Sequence, residues 1–190
     1  MSDHGEEASD EVLLAHYVQG DAAAFAQLVE RYRVRLFNYL YRLVGHRHTA
    51  EDLLQETFVR VVTHSWRFCA DYAFCTWLYK IATNLAANEL RKKQRRTRET
   101  SVEEYPPLPA PGDDPSEVMS RAETVALLTC CLGQLDDVHR TVLLLRVSEG
   151  MPYEEIARII GCPVATARTR MFYAITKLRQ AMGLSGQERS

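Results

Sequence analysis

Residues 153–178 have the sequence YEEIARIIGCPVATARTRMFYAITKL, which predicts two helices joined by a tight turn. Gly161 can adopt the left-handed conformation that ends a helix, and Pro163 suits the opening of the next one. Apolar residues recur at three-and-four spacing on both sides of this turn. The predicted inward positions are Ile156, Ala157, Ile160, Ala167, Met171, Ala174, Ile175 and Leu178. The pattern is typical of a helix-turn-helix.

The outward face of the second helix combines cations, hydroxyls and aromatic rings. Its members are Thr166, Arg168, Thr169, Arg170, Phe172 and Tyr173. Such side chains contact phosphates and base edges when a helix lies in the major groove. A plain helical hairpin with a charged face would show the same pattern, so this face alone does not establish DNA binding.

The N-terminal half is also predicted to be helical. Asp21 is a good N-cap for a helix that ends at Gly45, and Thr49 is the predicted N-cap of the next helix. A third helix is predicted from about Thr76 to the basic run at residues 91–98. No stretch alternates apolar and polar residues between hairpin turns, so we expect an all-α fold.

Two of these helices have polar faces, and an aromatic segment lies between them. The first face groups Asp52, Gln55 and Glu56 with Arg60, and the second groups Lys80, Thr83, Asn84, Ala87, Asn88 and Arg91. The intervening segment includes Arg67, Phe68, Tyr72 and Phe74. Rings beside an asparagine-bearing, cationic face suit single-stranded DNA. Each face is also compatible with simple solvation.

Residues 99–115 interrupt the helical pattern with five of the seven prolines. They predict an extended acidic linker that could span on the order of 55 Å. Helix is predicted to resume at Asp114 and Pro115. We therefore expect two small helical domains, residues 10–98 and 116–184, joined by this proline-rich tether.

The 190 residues are 46% apolar and 25% charged, the balance of a globular protein. The net charge of −2 hides basic blocks at residues 61–100 (+5) and 140–190 (+4), separated by an acidic block at residues 101–139 (−7). The basic blocks suggest two surfaces for a polyanion. No run approaches the ~20 apolar residues of a membrane span, and the acidic N-terminus is unlike a signal peptide. We expect a cytoplasmic protein.

The cysteines and histidines predict no cofactor and no metal. Five cysteines without a Cys-x-x-Cys spacing favour buried thiols in a reducing compartment, with a redox role for Cys69 and Cys75 as the alternative. Glycine-rich phosphate loops and clustered catalytic groups are missing from the sequence, so we expect no enzymatic activity.

Four motifs occur along the chain in an order that is typical of one protein family. They are GDAAAFAQLVERY (residues 20–32), AEDLLQETFVRV (50–61), FCTWLYKIATNLAANELRKKQRR (74–96) and the stretch from LDDVHRTV to TKLR (135–179). Together they closely resemble the extracytoplasmic-function sigma factors, in the sigma-70 family of RNA polymerase subunits. The resemblance covers nearly all of the chain outside the first ten residues and the linker.

This resemblance implies a role for each surface. Asp52, Gln55 and Glu56 would dock on the clamp helices of core RNA polymerase. Within promoter DNA, the segment from Arg67 to Phe74 would capture a flipped base of the −10 element, and Asn84 and Asn88 would contact neighbouring bases. The helix-turn-helix would recognise the −35 element, although Tyr173 stands where many relatives have arginine. The linker would run toward the RNA exit channel, and an anti-sigma factor would restrain the protein.

The alternative is a dimeric helix-turn-helix repressor or activator that binds duplex DNA without polymerase. It accounts for residues 120–183 but leaves the AEDLLQETF and WLYKIATN segments as core alone. A sigma factor instead uses both halves of the chain.

Overall fold

The computed structural model describes residues 8–68, 72–97 and 131–182. The predicted linker at residues 99–115, the predicted helix start at Asp114, and Cys69 all lie outside these ranges. The described residues contain helices and no strand, so the predicted all-α class is confirmed.

Four helices form the first half: α1 (Asp10–Val18), α2 (Ala22–Val44), α3 (Arg47–His64) and α4 (Phe74–Thr97), with a 3-10 turn at Ser65–Arg67. The second half contains α5 (Asp137–Val147), α6 (Tyr153–Ile160) and α7 (Val164–Ala181), and residues 131–133 are helical as well.

Three of the predicted helix ends are confirmed. The Asp21 carboxylate accepts hydrogen bonds from Ala23 N and Ala24 N at 2.9 and 3.3 Å, so it satisfies two otherwise unpaired donors of α2. Gly45 ends α2 with φ of 75°, and Gly161 ends α6 with φ of 65°. Both glycines therefore have the left-handed conformation that ends a helix.

Two predicted helix starts were wrong. Helix α3 begins at Arg47 with His46 as the N-cap residue, so Thr49 lies inside the helix and its hydroxyl lies 3.4 Å from His46 Nδ1. Helix α4 begins at Phe74, two residues before the predicted start at Thr76.

Helix α1 was not predicted, although its sequence contains the usual signals. The Ser9 hydroxyl accepts from Val12 N at 3.4 Å, and Asp10 and Glu11 lie in the first turn. A serine N-cap followed by two acidic residues is a recognisable helix start. Leu13 and Leu14 bury this helix against the rest of the first half.

Three positions differ from the predicted apolar and polar faces. The Thr83 hydroxyl is buried and lies 2.7 Å from the Tyr39 hydroxyl, so it belongs to the core and not to the polar face of α4. In α6, Ile159 is buried where Ile160 was expected to be the inward residue, and Ile160 is only half-buried. Ile175 on α7 is 36% exposed.

The two halves pack against each other, and their buried side chains form one continuous cluster. Helix α4 contacts α6, and α2 contacts α5. The buried Arg140 guanidinium on α5 donates to Leu135 O within its own half and to Leu43 O at the end of α2, both at 2.8 Å. One cation therefore satisfies backbone carbonyls on both sides of the contact.

A second polar contact between the halves centres on Glu149, in the loop between α5 and α6. Its carboxylate is only 5% exposed, accepts from Arg35 Nη2 at 3.2 Å, and accepts a short hydrogen bond from the Tyr79 hydroxyl. Burial raises the pKa of Tyr79 above its usual value, and the hydrogen bond to Glu149 raises it further. The tyrosine therefore remains a hydrogen-bond donor to a buried carboxylate.

Candidate nucleic-acid and polymerase surfaces

Helix α7 presents four of the six residues predicted to contact the −35 element on one exposed face. Arg168, Thr169, Phe172 and Tyr173 are exposed, and the Phe172 side chain is 67% exposed. The opposite face of α7 buries Ala167, Met171 and Ala174. The other two predicted residues, Thr166 and Arg170, are half-buried on the flank of the exposed face.

Arg168 is oriented by two residues of α6. Its guanidinium lies 5.5 Å from the centroid of the Tyr153 ring and 3.6 Å from Glu154 Oε1, while 63% of the side chain is exposed. Stacking on an aromatic face fixes the planar guanidinium without using all of its donors. Arg168 can therefore still form a bidentate contact with a base or a phosphate. The sequence interpretation missed the supporting roles of Tyr153 and Glu154.

Helix α4 brings Lys80, Asn84, Asn88 and Arg91 to its exposed face, as predicted. Arg91 Nη2 donates to Asn88 Oδ1 at 2.9 Å, so this contact uses the amide oxygen of Asn88 and not its amide nitrogen, which is a hydrogen-bond donor. The opposite side of this helix, with Leu78, Ala82 and Ala86, is buried. The face therefore has two amides flanked by cations, on a helix that the core holds rigidly.

The aromatic residues at the start of α4 and just before it form a cluster. Phe68 lies at its centre, with ring centroids 6.2 Å from Tyr72, 6.3 Å from Phe74 and 5.5 Å from Trp77. Phe74 was predicted to lie in the DNA-capturing loop, but it is the first residue of α4 and is fully buried. Its ring is core because Tyr32 packs against it at 5.6 Å. Phe74 can support a base-binding surface but cannot itself contact a base here.

Arg67 and Trp66 extend this region into solvent. The Arg67 guanidinium lies 4.6 Å from the centroid of the Trp66 ring, and Trp66 is 67% exposed. An exposed ring covered by a cation can stack on a base or lie beside a phosphate. Trp66 directly precedes the segment from Arg67 to Phe74 that the resemblance assigns to the −10 element.

Helix α3 exposes Asp52, Gln55 and Glu56 on a single face. Glu56 accepts from Arg60 Nε at 2.8 Å, whereas Asp52 has no ionic partner among residues 8–68, 72–97 and 131–182. Val59 and Val62 lie along the same helix and are 53% and 38% exposed. An acidic surface beside exposed apolar side chains can dock a basic partner surface.

The surroundings of Cys75 bear on the predicted redox alternative. Burial raises the pKa of the Cys75 thiol to about 11, and the nearby Glu155 carboxylate contributes. A thiol with a raised pKa has little thiolate at neutral pH and reacts slowly. The redox alternative is therefore disfavoured for Cys75. Within the described ranges, no group of three or more histidine, cysteine or acidic residues could hold a metal ion.

Comparison with known proteins identifies both halves. Residues 28–96 match the family model for sigma-70 region 2, and residues 126–178 match the model for sigma-70 region 4. The first match spans most of α2, α3 and α4, and the second contains α5, α6 and most of α7. No described helix is long and apolar enough to cross a membrane.

Relatives align along almost the whole chain. The RNA polymerase sigma-H factor of Pseudomonas aeruginosa is 34% identical over 180 residues, which cover 91% of this chain and 93% of that protein. The ECF RNA polymerase sigma factor SigW of Bacillus subtilis is 31% identical over 171 residues, covering 86% and 91%. The chain therefore belongs to the extracytoplasmic-function sigma factors of the sigma-70 family, which direct promoter-specific initiation of transcription.

Two solved structures have a similar fold. CnrH, determined in complex with the cytosolic domain of CnrY, has a TM-score of 0.70 and 25% identity, covering 94% of this chain and 100% of that one. The sigma factor RpoE of Bartonella quintana, determined in complex with the anti-sigma factor NepR, has a TM-score of 0.70 and 22% identity, covering 85% and 98%.

Proposed function

We propose that this sigma factor binds core RNA polymerase through the α3 face, contacts the −10 element through α4 and its aromatic cluster, and contacts the −35 element through α7. The observation that carries the proposal is that all three predicted surfaces are exposed on different helices of one fold. Residues 10–98 and 116–184 are the proposed functional domains. The protein catalyses no reaction of its own in this proposal, since phosphodiester synthesis belongs to the polymerase.

The proposal requires the two halves to separate on promoter DNA. The Thr76 hydroxyl at the start of α4 donates to Glu155 Oε2 at 2.9 Å, and the neighbouring Glu154 lies 3.6 Å from Arg168. One turn of α6 therefore bridges the two DNA-contacting helices. Arg91 is the proposed −10 residue furthest along α4 from this bridge. At ~1.5 Å per residue, it lies only about 23 Å from Thr76 along the helix axis.

Elements centred near −10 and −35 are about 25 base pairs apart, or roughly 85 Å at 3.4 Å per base pair. We call the arrangement in which the two halves pack against each other the closed arrangement. In it, the two DNA-contacting faces are too close together to reach both elements at once. Both DNA faces are exposed in it, so the closed form limits recognition through the distance between the faces and not by covering them. The predicted linker would supply the necessary reach.

A restraining partner follows from the same geometry. A protein that binds both halves in the closed arrangement would hold the DNA faces too close together for a promoter. CnrH, which this chain resembles over nearly its full length, was solved with the cytosolic domain of another protein, CnrY. We therefore include an anti-sigma factor among the proposed partners, together with core polymerase and promoter DNA, and a cytoplasmic location.

Charge reversal on α3 tests the docking proposal. The double variant Asp52→Lys, Glu56→Lys should lose co-purification with core polymerase, because two acidic side chains on the docking face become basic. Helical content should be preserved, since the only ion pair lost among the described residues is the exposed Glu56–Arg60 pair, worth a few tenths of a kcal/mol.

The matched control is Glu30→Lys, which reverses the charge of an exposed glutamate on α2 that pairs with Arg33. It should co-purify like the parent protein. Retention of core polymerase by the double variant would show that α3 is not the docking surface.

A further inference from the structure

Helix α1 joins α2 to the start of α4, the helix that carries part of the proposed −10 surface. It lies outside the region matched by the sigma-70 region 2 model, which begins at residue 28. Its two first-turn carboxylates bind different helices. Asp10 accepts from Arg31 Nη1 at 2.8 Å and from the Tyr32 hydroxyl, both on α2. Glu11 Oε1 accepts from Phe74 N at 2.9 Å, at the start of α4.

The bond from Phe74 to Glu11 has the form of a helix cap supplied from a distance. The first backbone N–H groups of a helix have no partner within the helix, and the positive end of the helix dipole favours a carboxylate there. Glu11 therefore supplies to α4 what a local N-cap side chain supplies elsewhere. Phe74 and Glu11 are both removed from bulk water, fully and partly respectively, which strengthens the bond.

Phe74 is also the residue on which the aromatic cluster rests. Its ring packs against Tyr32 at 5.6 Å on the α2 side and against Phe68 at 6.3 Å on the cluster side. Phe68 in turn contacts Tyr72, one of the residues predicted to meet an unpaired base. Asp10 therefore holds the Tyr32 ring, which packs on one side of Phe74, and Glu11 holds the Phe74 backbone.

We propose that Glu11 is a positioning residue for −10 recognition. It fixes the start of α4 and, through Phe74, it holds the Phe68–Tyr72 pair in the arrangement that binds single-stranded DNA. The inference rests on the proposed −10 role of α4 and its aromatic cluster. Glu11 itself need not touch DNA, because it acts through the backbone N–H of Phe74.

The geometry predicts an unusual order among Glu11 variants. Glu11→Gln keeps an oxygen in place to accept from Phe74 N. Glu11→Asp keeps the charge but withdraws the acceptor by one methylene, and Glu11→Ala removes both. Loss of a charge-assisted helix cap should weaken single-strand binding on the order of tenfold. The Gln variant should stay within about threefold of the parent, because it keeps a neutral hydrogen bond to Phe74 N and loses only the part that the charge contributes.

The experiment uses the full chain in complex with core polymerase and a labelled single-stranded oligonucleotide that carries the −10 region of a promoter mapped after overexpression. Affinity for the oligonucleotide and affinity for core are measured for each variant. Asn84→Ala serves as the positive control for the −10 face. Glu30→Ala is the matched control, since Glu30 is an exposed glutamate with Arg33 as its partner. All variants should bind core equally.

The expected result is weak oligonucleotide binding by Glu11→Asp and Glu11→Ala, with near-parental binding by Glu11→Gln and Glu30→Ala. If Glu11→Ala fails to fold, as judged by circular dichroism, the Asp and Gln pair still decides the matter. Parental binding by Glu11→Asp together with weakened binding by Asn84→Ala would overturn the positioning role and leave the proposed function standing. Parental binding by both Glu11→Asp and Asn84→Ala would overturn the −10 role of this surface and the inference with it.

Discussion

Removing the Glu149 carboxylate should open the closed arrangement of the two halves. This side chain accepts from Tyr79, whose side chain is fully buried, and from Arg35, whose side chain is 55% exposed. A hydrogen bond to a charged group contributes about 1.5–3 kcal/mol, and an ion pair with a half-exposed arginine contributes at most about 1 kcal/mol. Glu149→Ala should therefore weaken the contact by roughly 1.5–4 kcal/mol.

That free energy corresponds to a shift of about 10- to 1,000-fold in the ratio of closed to open molecules. The folded state of each half should survive, because Glu149 lies in the loop between α5 and α6. The contacts of Arg140 with Leu43 and of Thr76 with Glu155 remain in the variant, so some closed molecules should persist.

Single-molecule energy transfer measures the open fraction directly. Dyes would be introduced at the exposed positions Val59 on α3 and Gln180 on α7, and urea would be added up to the onset of unfolding. We expect more open molecules in Glu149→Ala at every urea concentration, and none beyond the parental level in Glu30→Ala. Identical distributions in Glu149→Ala and the parent over the whole range would refute the assignment of Glu149 to the contact.

Two further predictions concern α7 and the core. Arg168→Ala should weaken binding to the −35 element by about 1–3 kcal/mol. Binding selections would show relaxed preference at one base pair if Arg168 contacts a guanine, or uniform weakening if it contacts a phosphate. Unchanged affinity would reject both contacts. The Cys75 thiol has a folded-state pKa of about 11 against an ordinary value of 9.0, so it stabilises the fold below about pH 9 and this contribution is lost as the pH rises toward 11. Urea unfolding should show parental stability falling more steeply over that interval than the stability of Cys75→Ala, by about 2–3 kcal/mol, and equal slopes would contradict the shift.

Local signals predicted those parts of the fold that depend on neighbouring residues. Gly45 and Gly161 were predicted as helix ends because only glycine adopts the left-handed conformation easily, and both have positive φ. Asp21 was predicted as an N-cap because its carboxylate can reach the N–H groups two and three residues ahead. These interactions depend on a few adjacent positions, which a single sequence displays.

Two of the departures from the sequence prediction involve distant partners. Helix α4 starts at Phe74 because Glu11, 63 residues earlier, accepts its N–H. Thr83 is core because Tyr39, 44 residues earlier, pairs with its hydroxyl. A three-and-four pattern assigns a threonine to a polar face and cannot show such a partner.

The contact between the halves was also beyond sequence interpretation. Arg35 and Glu149 are 114 residues apart, and each resembles an ordinary solvated charge in the sequence. The proline-rich linker suggested separate domains, and nothing in the spacing of apolar residues indicates that α4 and α6 pack together. By contrast, the predicted exposure of the α3, α4 and α7 faces followed from helical periodicity and required no long-range information.

Reconstituted transcription tests the central claim most directly. The purified chain would be mixed with core RNA polymerase and a template bearing a promoter mapped after overexpression, and run-off transcripts would be measured. We expect a specific transcript with the parent protein and with Glu30→Lys, and its loss with Asp52→Lys, Glu56→Lys. Absence of any specific transcript with the parent, together with tight binding of the isolated chain to the duplex promoter as a dimer, would contradict the account and support a helix-turn-helix repressor or activator instead.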